Sequence, residues 1–119
     1  MAGEVLALGA YRRVRFAIEP GGRLAARADW DALPDTSRAR LQAYFEYFAD
    51  TNQIQNPKQY SKIEGTNLRQ WRHSDYRVLC CDRGRDHVIC VVVAKLNKKL
   101  QRPIFVKASR ICTEDIGGD

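Results

Sequence analysis

NLRQWRHSDYRVLCCDRGRDHVICVVVA, residues 67–94, decides the fold. Strand-like sequence runs from Asn67 to Arg72, and His73-Ser74-Asp75 makes a tight connection. From Tyr76 to Asp82, Tyr76, Val78 and Cys80 fall on one face, with Arg77, Leu79 and Cys81 on the other. Arg83-Gly84-Arg85-Asp86 is a hairpin turn, with Gly84 free to take positive φ. His87 to Ala94 is almost uniformly apolar and rich in β-branched residues. That composition predicts a central strand buried on both faces.

Upstream, Val14, Phe16 and Ile18 alternate with Arg13, Arg15 and Ala17, which reads as a first strand with one buried face. Pro20-Gly21-Gly22 ends it. The stretch from Arg23 to Leu33 is compatible with a loop or a short helix. Pro34-Asp35-Thr36-Ser37 is a helix start, with side chains suited to capping backbone N–H groups. Leu41, Tyr44, Phe45 and Phe48 follow at helical spacing and predict a core-facing stripe, with the helix ending near Asn52. Gln53 to Gly65 is polar. Downstream, Lys95 to Arg102 is a basic connector, and Pro103 suits the first turn of a closing helix. Ile104, Lys107, Ala108 and Ile111 continue it at helical spacing.

These elements predict an α+β fold of the small antiparallel-rich type. A long helix packs on one face of the sheet, and a short helix closes the chain. A length of 119 residues is that of one domain. Residues 1–11 and 114–119 are read as candidate disordered tails. No apolar run approaches the roughly 20 residues of a membrane helix, and no signal-peptide pattern opens the chain. The expected location is therefore the cytosol, with no membrane partner. Cys80, Cys81, Cys90 and Cys112 contain no C-x-x-C pair, and His73 and His87 lack zinc-ligand spacing. Four buried free thiols are expected, and no metal or cofactor.

Charge is unevenly placed. Residues 1–57 are neutral overall. Residues 58–110 hold thirteen basic and four acidic residues, a net +9, and the last nine residues carry −3. A basic excess in one half suits a polyanionic partner. Arg69, Arg72 and Arg77 lie on two neighbouring strands. Alternation sends Arg69 to the face opposite Arg72, so at most one of those two belongs to a common site. Lys58, Tyr60 and Lys62 precede these strands, and Lys95, Lys98, Lys99 and Arg102 follow them. Such a group suits phosphodiester chemistry. A ribose 2′-hydroxyl attacks its own 3′-phosphate, and fixed cations stabilise the charge that develops. Tyr60 can stack on a base, whereas Trp71 reads as core.

The run Lys62-Ile63-Glu64-Gly65, then Leu68-Arg69-Gln70-Trp71-Arg72, then Asp75-Tyr76-Arg77-Val78-Leu79 resembles the HigB branch of the RelE/ParE toxin superfamily. The apolar strand Val88 to Ala94, Lys98-Lys99, Pro103 and Ala108 extend the likeness over roughly residues 33–110. The resemblance implies a ribosome-dependent endoribonuclease that cleaves mRNA in the ribosomal A site without metal, neutralised by a cognate antitoxin. It implies catalytic roles for Arg72 and Arg77. It also implies contacts of Lys98 and Lys99 with mRNA or rRNA, and Lys58, Tyr60, Lys62, His73 and Arg102 join the candidate RNA-binding set. Gln70 and Trp71 replace the usual Glu and Leu, and Ala94-Lys95 stands where many relatives carry a histidine. A general acid or base role then falls to Lys95, to His73, or to no residue. A ParE-like gyrase inhibitor and a non-catalytic RNA-binding module are the alternatives on the same fold.

Overall fold

The computed structural model describes residues 4–94 and 98–117, with Lys98 through its backbone alone. Its strands are β1 (Val5–Leu8), β2 (Arg13–Phe16), β3 (Tyr60–Lys62), β4 (Leu68–His73), β5 (Tyr76–Arg83) and β6 (Asp86–Val93). Its helices are α1 (Arg27–Asp31), α2 (Asp35–Thr51) and α3 (Lys98–Glu114). The sheet order is β1-β2-β6-β5-β4-β3, with β2 and β6 parallel and every other neighbouring pair antiparallel. This is the predicted α+β architecture.

The apolar run 87–94 forms the central β6, and its residues are buried from Asp86 to Val92. A strand covered on both faces requires a layer on each side. On one side α1 and α2 bring Trp30, Leu41, Phe45 and Phe48 onto Val14, Phe16, Trp71, Val78 and Ile89. On the other, α3 brings Ala108, Ile111 and Cys112 onto Leu68, Leu79, Val88 and Val91. Leu79 pairs with Val91 but Cys80 pairs with Ile89, so β6 carries one extra residue, Cys90. This bulge puts Cys90 and Val91 together on the α3 side.

Trp71 lies at the centre of the first layer. The rings of Phe45, Phe48, Tyr60 and His87 all meet it at centroid distances of 4.7 to 5.8 Å. Its Nε1–H donates to His87 Nε2 at 2.9 Å. Indole nitrogen only donates, so Nε2 is the acceptor and the imidazole proton sits on Nδ1. From there it reaches Asp82 Oδ1 at 2.7 Å.

Several expectations are corrected. β2 is buried on both faces, because Arg15 is only 1% exposed. Its guanidinium donates to Asp86 at 2.7 Å and, through both terminal nitrogens, to Asp115 at 2.9 and 2.7 Å. Arg13 adds a two-bond contact to Asp86. A charge can be buried here because two carboxylates answer it. Asp115 also accepts from the backbone N–H of Ile18 and Gly117, so the chain beyond residue 114 is anchored as far as Gly117. At the other end Val5–Leu8 forms an edge strand paired with β2. The reading of 1–11 and 114–119 as tails therefore fails wherever the residues are described.

The stretch 23–33 holds the short α1 and buries Trp30. Part of the polar segment 53–65 becomes a 3-10 turn at Pro57–Gln59 and then β3. No side chain caps α2. Its capping residue is Pro34, and Ser37 Oγ bonds His73 Nδ1 instead. α3 begins at Lys98, so Pro103 lies inside the helix and cannot donate back to Lys99. The expectation of four free thiols fails for two of them, since Cys81 and Cys112 form a disulfide. Packing of α3 across β5 brings these positions together, and a 31-residue separation hides that in the sequence. Cys80 and Cys90 remain free and buried. No described helix is long and apolar enough to cross a membrane.

Two outcomes follow. Trp71→Phe keeps most of the ring packing but leaves His87 Nε2 buried and unsatisfied. It lowers the unfolding free energy by about 1–3 kcal/mol, measured by urea titration. Stability also falls with acid in two stages. Burial lowers the His87 pKa from 6.5, so below that pH the unfolded chain takes up a proton that the folded one refuses. Asp82, Asp86 and Asp115 sit below the ordinary 3.8 because hydrogen bonds and cations outweigh their burial. Their stabilisation is present above pH 3.8 and disappears as pH drops through the lowered values. The urea midpoint should decline first below pH 6.5, and His87→Gln should flatten that first limb alone. A wild-type profile that is level down to the carboxylate range contradicts the assignment.

Candidate nucleic-acid interface

The β4–β5 hairpin turns through Ser74 and Asp75, with Ser74 at φ 55°. This tight turn pairs Arg72 directly with Arg77. Partners in register share a face, and alternation places both on the α3 side with Leu68 and Leu79. Arg77 also pairs with Val93 of β6, and α3 starts five residues after Val93.

Backbone carbonyls hold both guanidiniums. Arg72 Nε and Nη2 donate to the Lys58 carbonyl at 3.0 and 2.9 Å. Arg77 Nη1 donates to the Ser74 and Tyr76 carbonyls, each at 3.0 Å. Each fork is oriented, yet each keeps donors for a ligand, because a guanidinium has five N–H bonds. Neither arginine forms an ion pair with a described carboxylate. The Arg77 pKa is lowered, first by partial burial and then by the charge of Arg72, with Asp75 opposing. Two like charges held together in this way favour an anion between them.

The other arginines of the sheet are neutralised internally. Arg12 and Arg69 flank Asp82 at 3.4 and 3.6 Å. Arg13 and Arg15 bind Asp86, and Arg83 lies 3.5 Å from Asp115. In contrast, no described carboxylate pairs with Lys58, Lys62, Arg72, Arg77, Lys99 or Arg102. Unpaired cations are thus gathered at the β3–β4–β5 end of the sheet and the first turns of α3, while Arg85 lies in the β5–β6 turn against the Ala10 carbonyl.

The expected site residues do not all converge. Arg72 and Arg77 are adjacent, and the Lys58 backbone joins them. Lys62 lies opposite Arg69, on the α2 side of the sheet. Tyr60 is also on that side. Its ring meets Trp71 edge-on at 4.7 Å and its hydroxyl accepts from Arg69 at 3.4 Å, so it belongs to the aromatic stack. His73 is half-buried on the same side against Ser37. Lys99 is exposed at the start of α3. Arg102 lines a groove with Gly65, Thr66, Phe105 and Val106. Lys95 and the Lys98 side chain lie outside the described residues.

Sequence reasoning overlooked the Trp71–His87–Asp82 chain and its flanking Arg12 and Arg69. A signal was present. Asp82 and His87 are cross-strand partners two positions from the Gly84 turn, so the hairpin alone places them side by side. Among the described residues, the group with metal-ligand character is Cys81, Cys90 and Cys112, beneath α3 and apart from the arginine pair.

No protein-family model matches the chain, and no curated protein matches it. Among solved structures, it is similar to a chain of the RelB–RelE antitoxin–toxin complex from Methanococcus jannaschii, with a TM-score of 0.50 and 20% identity. The match covers 66% of this chain and 86% of that one. At that identity the likeness is one of architecture, and the chain has a RelE-like fold.

Proposed function

We propose that the chain is the toxin half of a toxin–antitoxin pair, of the HigB-like type, and cleaves mRNA in the ribosomal A site without a metal ion. The observation that carries this reading is the Arg72–Arg77 pair, oriented by carbonyls and left without a carboxylate. In the proposed reaction the two forks bind the non-bridging oxygens of one phosphate in the mRNA backbone. The preceding 2′-hydroxyl attacks phosphorus, and the 5′-oxygen leaves. Arg77 and Arg72 stabilise the added negative charge. Lys95, in the connector that follows β6, is the proposed proton carrier. Lys58, Lys99 and Arg102 extend the cationic surface toward rRNA, and Lys98 is a further proposed RNA contact. Lys62, Tyr60 and His73 lie on the α2 side of the sheet, away from the phosphate between the two arginines.

The structural neighbour belongs to an antitoxin–toxin complex, which supports a cognate antitoxin as partner. The cytosol, where ribosomes and antitoxin meet, is the proposed location. A non-catalytic RNA-binding module is the second reading. It is favoured by the placement of His73, whose ring faces α2 and not the arginine pair.

One experiment separates these readings. The purified chain should cut mRNA on programmed ribosomes, and Arg77→Ala should slow cleavage by about 10²–10³-fold. Arg77→Lys should recover only part of the rate, because an ammonium lacks the two-pronged geometry. Intact mRNA with steeply salt-dependent RNA binding overturns the nuclease and identifies the binding module. Intact mRNA, no RNA binding, and inhibition of purified gyrase identify a ParE-like activity.

A further inference from the structure

The α3 side of the sheet holds three cysteines from three different elements, Cys81 on β5, Cys90 on β6 and Cys112 on α3. Their sulfurs all lie within 4.8 Å of one another, and Cys90 Sγ is 3.9 Å from Cys81 Sγ. Each residue is at most 4% exposed. The disulfide uses two of the sulfurs and leaves Cys90 against it. Two independent features bring the third sulfur there. The β6 bulge turns Cys90 toward α3, and the docking of α3 on β5 aligns Cys112 with Cys81.

The inference rests on the cytosolic location proposed above, where thiol reductants keep such disulfides open. Reduction delivers two electrons and two protons to the Cys81–Cys112 bond, and the reductant is oxidised in turn. Three buried thiols then face one point. We propose that this reduced trio is a binding site for one soft monovalent d¹⁰ cation, Cu(I), held by three thiolates. Binding forms three metal–sulfur bonds and releases one proton from each thiol, and the oxidation state of the metal does not change.

The geometry fits. Metal–thiolate bonds of about 2.3 Å set sulfurs about 3.8–4.0 Å apart in a trigonal or tetrahedral shell. The Cys81–Cys90 separation already has that value. The donor number distinguishes the ion. Zinc seeks a fourth ligand, and the carboxylate that acts on Cys90, Asp115, is occupied by Arg15, Ile18 and Gly117. Cu(I) is satisfied by three soft donors in a dry site. The charged groups acting on Cys90 are Arg15, Arg83 and Asp115. The two cations offset the negative charge of a tris-thiolate complex. Without a metal, burial pushes the Cys90 thiol up to about 12, so this donor stays protonated. The result is an exchangeable clip, in which α3 is fastened to β5 by a disulfide when oxidised and by a metal when reduced.

The test uses the full chain, reduced by a phosphine that is then removed without air, and titrated with Cu(I) against a chromogenic chelator. One Cu(I) per chain should bind, with near-ultraviolet charge-transfer absorption and a rise in melting temperature. Cys90→Ala should weaken binding by about 100-fold or more, while Cys80→Ala, on the other face of β5, should leave it unchanged. Should Cys90→Ala fail to fold, Cys112→Ala removes a donor at the end of α3 and should show the same loss. The unreduced protein should not bind. The proposal is overturned by an absence of one-to-one binding after reduction, by a Cys90→Ala or Cys112→Ala variant that binds as tightly as wild type, or by tighter binding of Zn(II) than of Cu(I).

Discussion

Burial of β6 on both faces dictates where everything else goes. A strand with Val88, Ile89, Cys90, Val91 and Val92 shielded from water cannot end a sheet or face solvent. It needs a strand on each edge and a helix on each side. β5 supplies one edge through a local hairpin. β2 supplies the other in parallel register, and this pairing draws Arg15 into the dry interior. Asp86, at the start of β6, and Asp115, past the end of α3, then become obligatory, because a lone buried guanidinium would cost several kcal/mol. The central strand, the first long-range pairing and the last described residues are in this sense one constraint.

The same constraint divides the arginines into two populations. Arg12, Arg13, Arg15, Arg69 and Arg83 are matched by Asp82, Asp86 and Asp115. They hold the molecule together and contribute little field outside it. The pair at the opposite end of the β4–β5 hairpin is held by carbonyl oxygens, which orient a cation without cancelling it. The Arg72–Arg77 pair is thus placed where ligand binding is not opposed by internal ion pairs.

Much of the scaffold was legible in the sequence. The alternation in Tyr76–Asp82, the uniform run after His87 and the Leu41-Tyr44-Phe45-Phe48 stripe each carry their own period, and each appears where that period places it. The parity of Arg69 against Arg72 also separated a neutralised arginine from a free one. What stayed hidden depends on distant partners. Arg15 looked like the polar face of an amphipathic strand, because nothing near it announces Asp115, 100 residues away. Cys81 and Cys112 looked like separate core thiols for the same reason. Tyr60 looked like an open stacking platform until the β3–β4 register set it against Trp71. Local patterns reveal which face a residue occupies, but not what arrives to cover that face.

The parallel pairing of β2 with β6 has a further consequence for how the chain is made. Arg13 meets Asp86 across 73 residues, so the place β2 will occupy does not exist until β6 has been synthesised. Closing so long a loop is entropically slow. The β4–β5 hairpin forms from neighbours in the chain, but the sheet is completed only when β2 docks beside β6, the last strand to be made. Assembly therefore finishes with the docking of β2, and a nascent chain interrupted before β6 lacks a closed core.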